Sequence, residues 1–196
     1  MSEAQRWESE YRDGRWQFLR ELREAARLGV VAAYLHHLDA VGRVLDIGCG
    51  EGHLRHHLDR ARLRRYVGVD VAQAALDLAA ADPIEDRPGR SLFVHAGMEA
   101  YAPEPGEAFD GILFNEVLFF TSEPGRQVER ARPWLAPGGV IVVSLYEKQG
   151  ADGKPRASAL APWAAIDALG WTTLDESRIT NRGKGITWTI RALRPT

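Results

Sequence analysis

The stretch "VLDIGCGEG", Val44 to Gly52, constrains this chain more than any other part of it. An apolar run stops at Asp46, and glycines then stand at alternate positions, Gly48, Gly50 and Gly52. Glycine tolerates positive φ and lets a backbone approach another molecule closely, at a cost in conformational entropy. Three of them within five residues mark a loop that holds a ligand against its main chain. "RVLDIG" before the loop is a short buried strand and "HLRHHLDRA" after it is helical. In open α/β sheets such a strand–loop–helix unit carries the ligand beyond the carboxyl ends of the strands.

The rest of the chain fits that frame. "RRYVGVD", "SLFVHAG", "FDGILFN" and "VIVVSLY" are further short apolar runs, separated by the alanine-rich helix "AQAALDLAAAD" and the helix "EPGRQVERARPWL". Strands bounded by helices point to a parallel sheet covered on both faces. The helix "APWAAIDALG" closes at Gly170, and "WTTLDESRIT" and "GITWTIRAL" follow, joined only by the turn "NRGKG". No helix fits between these two runs, so they are expected to pair as an antiparallel hairpin. At the other end, apolar residues from Phe18 through Leu22, Ala25, Ala26, Val30, Val31, Tyr34 and Leu35 to Leu38 recur at three- and four-residue steps. They predict one long helix over 16–38. Asp13-Gly14 breaks it from a short leading helix that carries Trp7 and Tyr11 on one side. The turn signal Pro137-Gly138-Gly139 precedes the fifth strand, and residues 81–90 and 147–158 read as polar loops.

Composition narrows the partners. The 196 residues suffice for one domain with its own core, and no apolar run approaches the length that spans a bilayer. A formal net charge of −2 gives no overall attraction to nucleic acid. The N-terminus is charged and lacks a signal-peptide core, and Cys49 is the only cysteine, so a reducing cytoplasm fits.

Two nucleotide-type readings compete for the glycine loop. A dinucleotide fold needs G-x-G-x-x-G, with the third glycine packing beneath a pyrophosphate. Counting from Gly48 that place holds His53, and counting from Gly50 it holds Arg55, so the dinucleotide fingerprint fails. Asp46, Gly48, Gly50 and Gly52 instead match, position by position, the first motif of the class I S-adenosylmethionine-dependent methyltransferases, which the chain resembles. "YVGVD", "FDGILFNEVLFF" and "LAPGGVIVVSLY" resemble that family's second-, fourth- and fifth-strand motifs, and the resemblance covers residues 40–194.

That resemblance implies a Rossmann-like, seven-stranded, mostly parallel sheet with helices on both faces and an antiparallel C-terminal hairpin. Residues 40–196 would form the methyltransferase domain, and residues 1–39 a helical segment or lid within the same globular unit. It implies S-adenosyl-L-methionine as cofactor, with S-adenosyl-L-homocysteine as product. Gly48, Cys49 and Gly50 would wrap the methionine half, with Asp46 facing its amino group. Asp70 would take the ribose hydroxyls and Val71 the adenine face, with Asn115 at the end of the fourth strand completing the site. After the third strand the family often has Gly-Asp; here Gly97 is followed by Met98 and then Glu99, so the adenine is expected to meet either Glu99 or main-chain groups and a thioether contact.

The acceptor side is expected from residues opening on the same crevice. Glu116 follows the fourth strand and Tyr146 ends the fifth, which makes them the candidate catalytic pair. Tyr11, Trp16 and His53 are the candidate substrate contacts, with core or edge packing the alternative for the aromatics and a favourable first-turn helix acid the alternative for Glu116. His53, His56 and His57 lie on one short helix, but two same-face histidines without a third ligand do not make a metal site. "RARLRR" at 60–65 reads as a solvated helix end. "NEVLFF" stands where base-modifying enzymes carry Asn-Pro-Pro-Tyr, which favours a small-molecule acceptor. "YRDGRW" is loosely similar to the leading aromatic segment of sugar N-methyltransferases. A nucleic-acid-modifying enzyme and a module that binds the cofactor without turnover are the alternatives.

Overall fold

The computed structural model describes residues 2–82, 84, 90–148, 157–183 and 185–196. Seven strands form one sheet: β1 (Arg43–Ile47), β2 (Arg65–Asp70), β3 (Ser91–His95), β4 (Phe109–Asn115), β5 (Leu135–Lys148), β6 (Thr172–Asn181) and β7 (Ile186–Arg194). Their order is β3-β2-β1-β4-β5-β7-β6. The pairings among β1 to β5 are parallel, and β7 runs antiparallel to both β5 and β6. This is the expected doubly covered sheet with its terminal hairpin.

The alternation of side chains explains why both faces are covered. Val44, Tyr66, Leu113 and Val142 point into one core together with Leu28, Val31 and Leu35 of helix α2 (Leu22–His37). Their chain neighbours Leu45, Val67, Ile112, Phe114 and Val143 point the other way. There they meet Val128 of α4 (Pro124–Arg130) and Trp163 and Ile166 of α5 (Ala157–Asp167). Strands buried on both sides read as continuous apolar runs, which is how they stand in the sequence. Helix α3 (Gln73–Ala81) connects β2 to β3.

The N-terminal region departs from expectation. The leading helix α1 (Glu3–Arg12) is present, started by a capping box in which Ser2 Oγ accepts from the Gln5 amide and Gln5 Oε1 from that of Ser2. The single long helix over 16–38 is not. A 3₁₀ turn (Gln17–Arg20) is followed by extended backbone at Glu21, and α2 begins only at Leu22. The inward face also differs from the apolar stripe. Leu22 is 88 % exposed, whereas Glu24, Arg27, Leu28, Val31 and Leu35 are buried. Glu24 stands on the i, i+4, i+7 row of Leu28 and Val31, and its buried charge is met by Arg27 one turn on, at 3.3 Å.

Two other helices are shorter than their patterns suggest. After the glycine loop residues 53–57 form a 3₁₀ turn rather than an α-helix, and "RPW" after α4 forms another. Pro137-Gly138-Gly139 lies inside β5 rather than before it. There the register jumps from Phe109↔Leu135 to Gly111↔Val140, so the turn residues form an irregularity in the ladder. The loops expected over 81–90 and 147–158 fall largely outside the described residues.

Candidate active site at the carboxyl ends of the strands

The strand order reverses between β1 and β4, and there the sheet opens on a cavity of about 1010 Å³. That is at the upper end of the roughly 300–1,000 Å³ that holds one drug-sized ligand, so there is room for a cofactor and an acceptor together. All fifteen residues nominated from the sequence line this cavity. They arrive from α1 and its following turn, from β1, the glycine loop and the 53–57 turn, and from the ends of β2, β3, β4 and β5.

The loop answers the question its sequence poses. Gly48, Gly50 and Gly52 all have left-handed backbone, at φ +73°, +53° and +68°. Each alternate residue must therefore be able to adopt a conformation that costs other L-residues roughly 1–2 kcal/mol. Amides of Gly48 and Cys49 both donate to the Val69 carbonyl, at 2.7 and 3.0 Å, which lays the loop over the end of β2. A Cβ on Gly48 would meet Val117 Cγ1 at 2.1 Å, so this glycine is also fixed by packing. Cys49 has its thiol pushed well up by burial, which leaves it a packing residue rather than a nucleophile.

Asp70 closes the loop from beneath. Its carboxylate accepts the Gly50 amide at 2.8 Å and the Ala72 amide at 2.9 Å, one on each oxygen. Burial raises its pKa, and these backbone donors pull it back. Asp46 is 2 % exposed. It accepts from Tyr66 Oη at 2.7 Å through Oδ2, while Oδ1 is buried with no partner. Desolvation raises it to about 6.

A second orphan lines the same cavity. Arg27 is 4 % exposed; one Nη donates to Glu24 and the other to Asn115 Oδ1, while Nε has no partner. Glu24 and Arg27 both line the cavity and were missed in the sequence, where they looked like the polar side of an amphipathic helix. The available signal was an i, i+3 acid–base pair standing on the row of Leu28 and Val31. Phe120 and Lys148 also line the cavity without having been nominated.

Glu116 has φ +64°, rare for a residue with a side chain. That turn folds its carboxylate back onto β5, where it accepts from Ser144 Oγ at 2.6 Å and from the Tyr146 amide. Burial raises its pKa against the opposing pull of Arg27. The Tyr146 ring packs on Phe119 at 5.0 Å, with the Lys148 ammonium 5.9 Å from its centroid. In the adenine wall, Met98 is half-buried beside Gly97, and Glu99 accepts from Thr121 Oγ1 at 2.9 Å. Val71 offers its carbonyl to the His95 ring at 2.9 Å.

Helix α1 lies over the cavity. Glu8 accepts the Ala74 amide at 3.0 Å, and Tyr11 and Trp16 pack on Ala72, Ala74 and Ala75. The Trp7 ring is 5.1 Å from Trp16 and meets Phe120, beyond β4, edge-on at 4.7 Å. Trp16 Nε1 donates to Glu10. Arg20 then binds Glu51 inside the glycine loop, its Nε at 3.0 Å, and His53 stands 3.4 Å from the same carboxylate. Burial lowers the His53 pKa. His56 instead pairs with Asp82 at 2.7 Å, and no cluster of three metal-ligating side chains is present among the described residues.

Known proteins share this fold. Residues 15–180 match the family model described as a methyltransferase domain. A trans-aconitate 2-methyltransferase of Paracidovorax citrulli is 32 % identical over 146 residues, 72 % of this chain and 54 % of that protein. The chain thus spans about half the length of the curated relatives it matches. Among solved structures, the N-methyltransferase NodS from Bradyrhizobium japonicum, in complex with S-adenosyl-L-homocysteine, superposes with a TM-score of 0.73 at 18 % identity. The match covers 98 % of this chain and 97 % of NodS. The 1,6-didemethyltoxoflavin-N1-methyltransferase of Burkholderia thailandensis gives 0.74 at 23 % identity, over 98 % and 87 % of the two chains. These two likenesses concern the fold. With the family model covering most of its length, the chain belongs to the methyltransferase domain family.

Proposed function

We propose that this protein binds S-adenosyl-L-methionine in the cavity and transfers its methyl group to nitrogen or oxygen of a small-molecule acceptor. One observation carries the reading: the cavity is lined by a buried carboxylate oxygen, Asp46 Oδ1, and a buried guanidinium nitrogen, Arg27 Nε, each without a partner. Buried polar atoms are rarely left unpaired. An acceptor and a donor orphaned in one cavity complement the ammonium and carboxylate of an amino-acid ligand. Asp70 retains lone pairs for ribose hydroxyls beyond the two amides it already holds. The residues present fit the cofactor at both ends.

When bound, the cofactor supplies an electrophilic methyl carbon, attacked in line from the side opposite its sulfur. The protein's contribution is then alignment and exclusion of water. Residues 1–39 act as the lid that excludes water, with α1 over the cavity. The acceptor lies between the Trp7, Trp16 and Phe120 rings and the Tyr146 side chain. Glu116, raised by burial, is the group placed to take a proton from a hydroxyl or to hold an amine.

The test is incubation of the purified chain with methyl-labelled cofactor and a panel of small amines, phenols and carboxylic acids, read by mass. Gain of one methyl group on one class supports the reading. Cofactor retention without transfer to any class favours a binding module instead. Glu116→Gln should lower turnover on a hydroxyl acceptor by roughly 10²–10⁴-fold with cofactor affinity unchanged. For an amine the loss should be smaller and fall mainly on KM.

A further inference from the structure

Tyr66, the second residue of a strand buried on both faces, is 0 % exposed and spends its hydroxyl on one group. That group is the Asp46 carboxylate on the neighbouring strand, 2.7 Å away. We propose that Tyr66 is a positioning residue of the cofactor site, its O–H bond to Oδ2 turning Asp46 so that Oδ1 is presented to the cationic end of the ligand. This inference rests on the cofactor reading above.

The surroundings leave the pair little alternative. The Tyr66 ring is held edge-on by Phe93 at 6.2 Å, and the Arg55 guanidinium lies 5.9 Å from its centroid. Arg55 is itself fixed by bonds to the Gly52 and Ala79 carbonyls, so the ring cannot swing away without unpacking the loop. A buried tyrosine hydroxyl finds a partner, and here that partner is a carboxylate whose other oxygen has none. The Tyr66 pKa is itself far above its ordinary value, through burial and the nearby Asp46 charge, so it remains a donor across the working pH range.

The arrangement also sets when Asp46 is charged. The groups facing it are Tyr66 and Asp70 from β2, Arg27 from α2, Arg55 from the 53–57 turn and Cys49 from its own loop. Burial and Asp70 push its pKa up; the Tyr66 bond and the two arginines pull it down. Removing the hydroxyl therefore moves Asp46 upward, toward neutrality, and leaves its rotamer unpinned.

The test is Tyr66→Phe, which removes one buried oxygen and keeps the ring. In ligand-free full-length protein the ¹³C titration of the Asp46 carboxyl, identified by its loss in Asp46→Asn, should shift to higher pH. Calorimetry with S-adenosyl-L-homocysteine should show affinity reduced at both pH 6.0 and pH 8.5 by the unpinned rotamer, and about three- to tenfold more at pH 6.0, since one pH unit of displacement is tenfold in charged fraction. A loss equal at both pH values, or an unmoved Asp46 midpoint, overturns the inference while wild-type binding upholds the cofactor reading. Wild-type protein that binds the probe at neither pH overturns both. Should the phenylalanine variant not fold, fluorotyrosine at position 66, a stronger donor, must shift the Asp46 midpoint downward; an unchanged midpoint there also overturns it.

Discussion

A methyl group placed on Gly50 would stand 2.5 Å from Tyr11 Oη, at a residue whose φ is +53°. The sequence places Gly50 against a ligand, and the structure adds that α1 bears down on the same spot. Gly50→Ala should therefore abolish measurable binding of S-adenosyl-L-homocysteine while leaving the circular dichroism of the sheet intact. Adding Tyr11→Phe, which removes the offending oxygen, should recover part of the affinity; no recovery would place the clash elsewhere. Asp46 yields a prediction in pH. Between pH 3.8 and about 6 the folded protein holds a proton on this carboxyl that the unfolded chain has released. Its contribution to stability is thus highest below that window and falls as pH rises through it, by about 3 kcal/mol, then stays flat. Urea unfolding of wild type and Asp46→Asn from pH 3.5 to 7 should show the wild type losing that much relative to the variant. A constant difference between them would mean Asp46 is not raised. At this scale the sequence placed its nominated residues around one cavity because motif spacing locates loop residues well. It did not reveal Arg27 and Glu24, because a buried ion pair on a helix has the same letters as a solvated one.

Helix α1 and the turn behind it carry little sequence signal, yet they touch the site at several points. Glu8 caps the Ala74 amide, Tyr11 covers Gly50, Trp7 reaches Phe120, and Arg20 grips Glu51. Deleting residues 1–15 should spare the sheet and weaken cofactor binding, because it takes Tyr11 from over Gly50 and opens the cavity to water. It should also raise the acceptor KM. Limited proteolysis of the full chain should be slowed between residues 1 and 20 by added S-adenosyl-L-homocysteine; protection that is unchanged would mean α1 is not a lid. The continuous helix expected over 16–38 fails for a local reason. Extended backbone at Glu21 reorients the chain so that the 17–20 turn can bring Arg20 to the loop. Three- and four-residue apolar spacing cannot report such a break, because Phe18 and Leu22 keep the period although they belong to different elements.

For the whole molecule, the sequence was most informative where burial is two-sided. The parallel strands β1, β2, β4 and β5 appear as apolar runs, and the Ile186, Trp188, Ile190 alternation identifies the returning strand β7. Strand order was not contained in those runs. It brings the ends of β1 and β4 side by side and so opens the cavity between Asp46 and Asn115. Among the described residues no helix is long and apolar enough to cross a membrane. The central claim is that this cavity holds a ribose at Asp70 and an amino-acid end at Asp46 and Arg27. Calorimetric titration with S-adenosyl-L-homocysteine, beside 5′-methylthioadenosine, which lacks the amino-acid end, tests it directly. The account predicts one site, with the truncated ligand at least about tenfold weaker, as expected for losing charge-assisted bonds of about 1.5–3 kcal/mol each. Asp70→Ala should weaken both ligands, and Asp46→Asn or Arg27→Gln only the complete one. Equal affinity for the two ligands, or equal losses for both in Asp46→Asn, would contradict it.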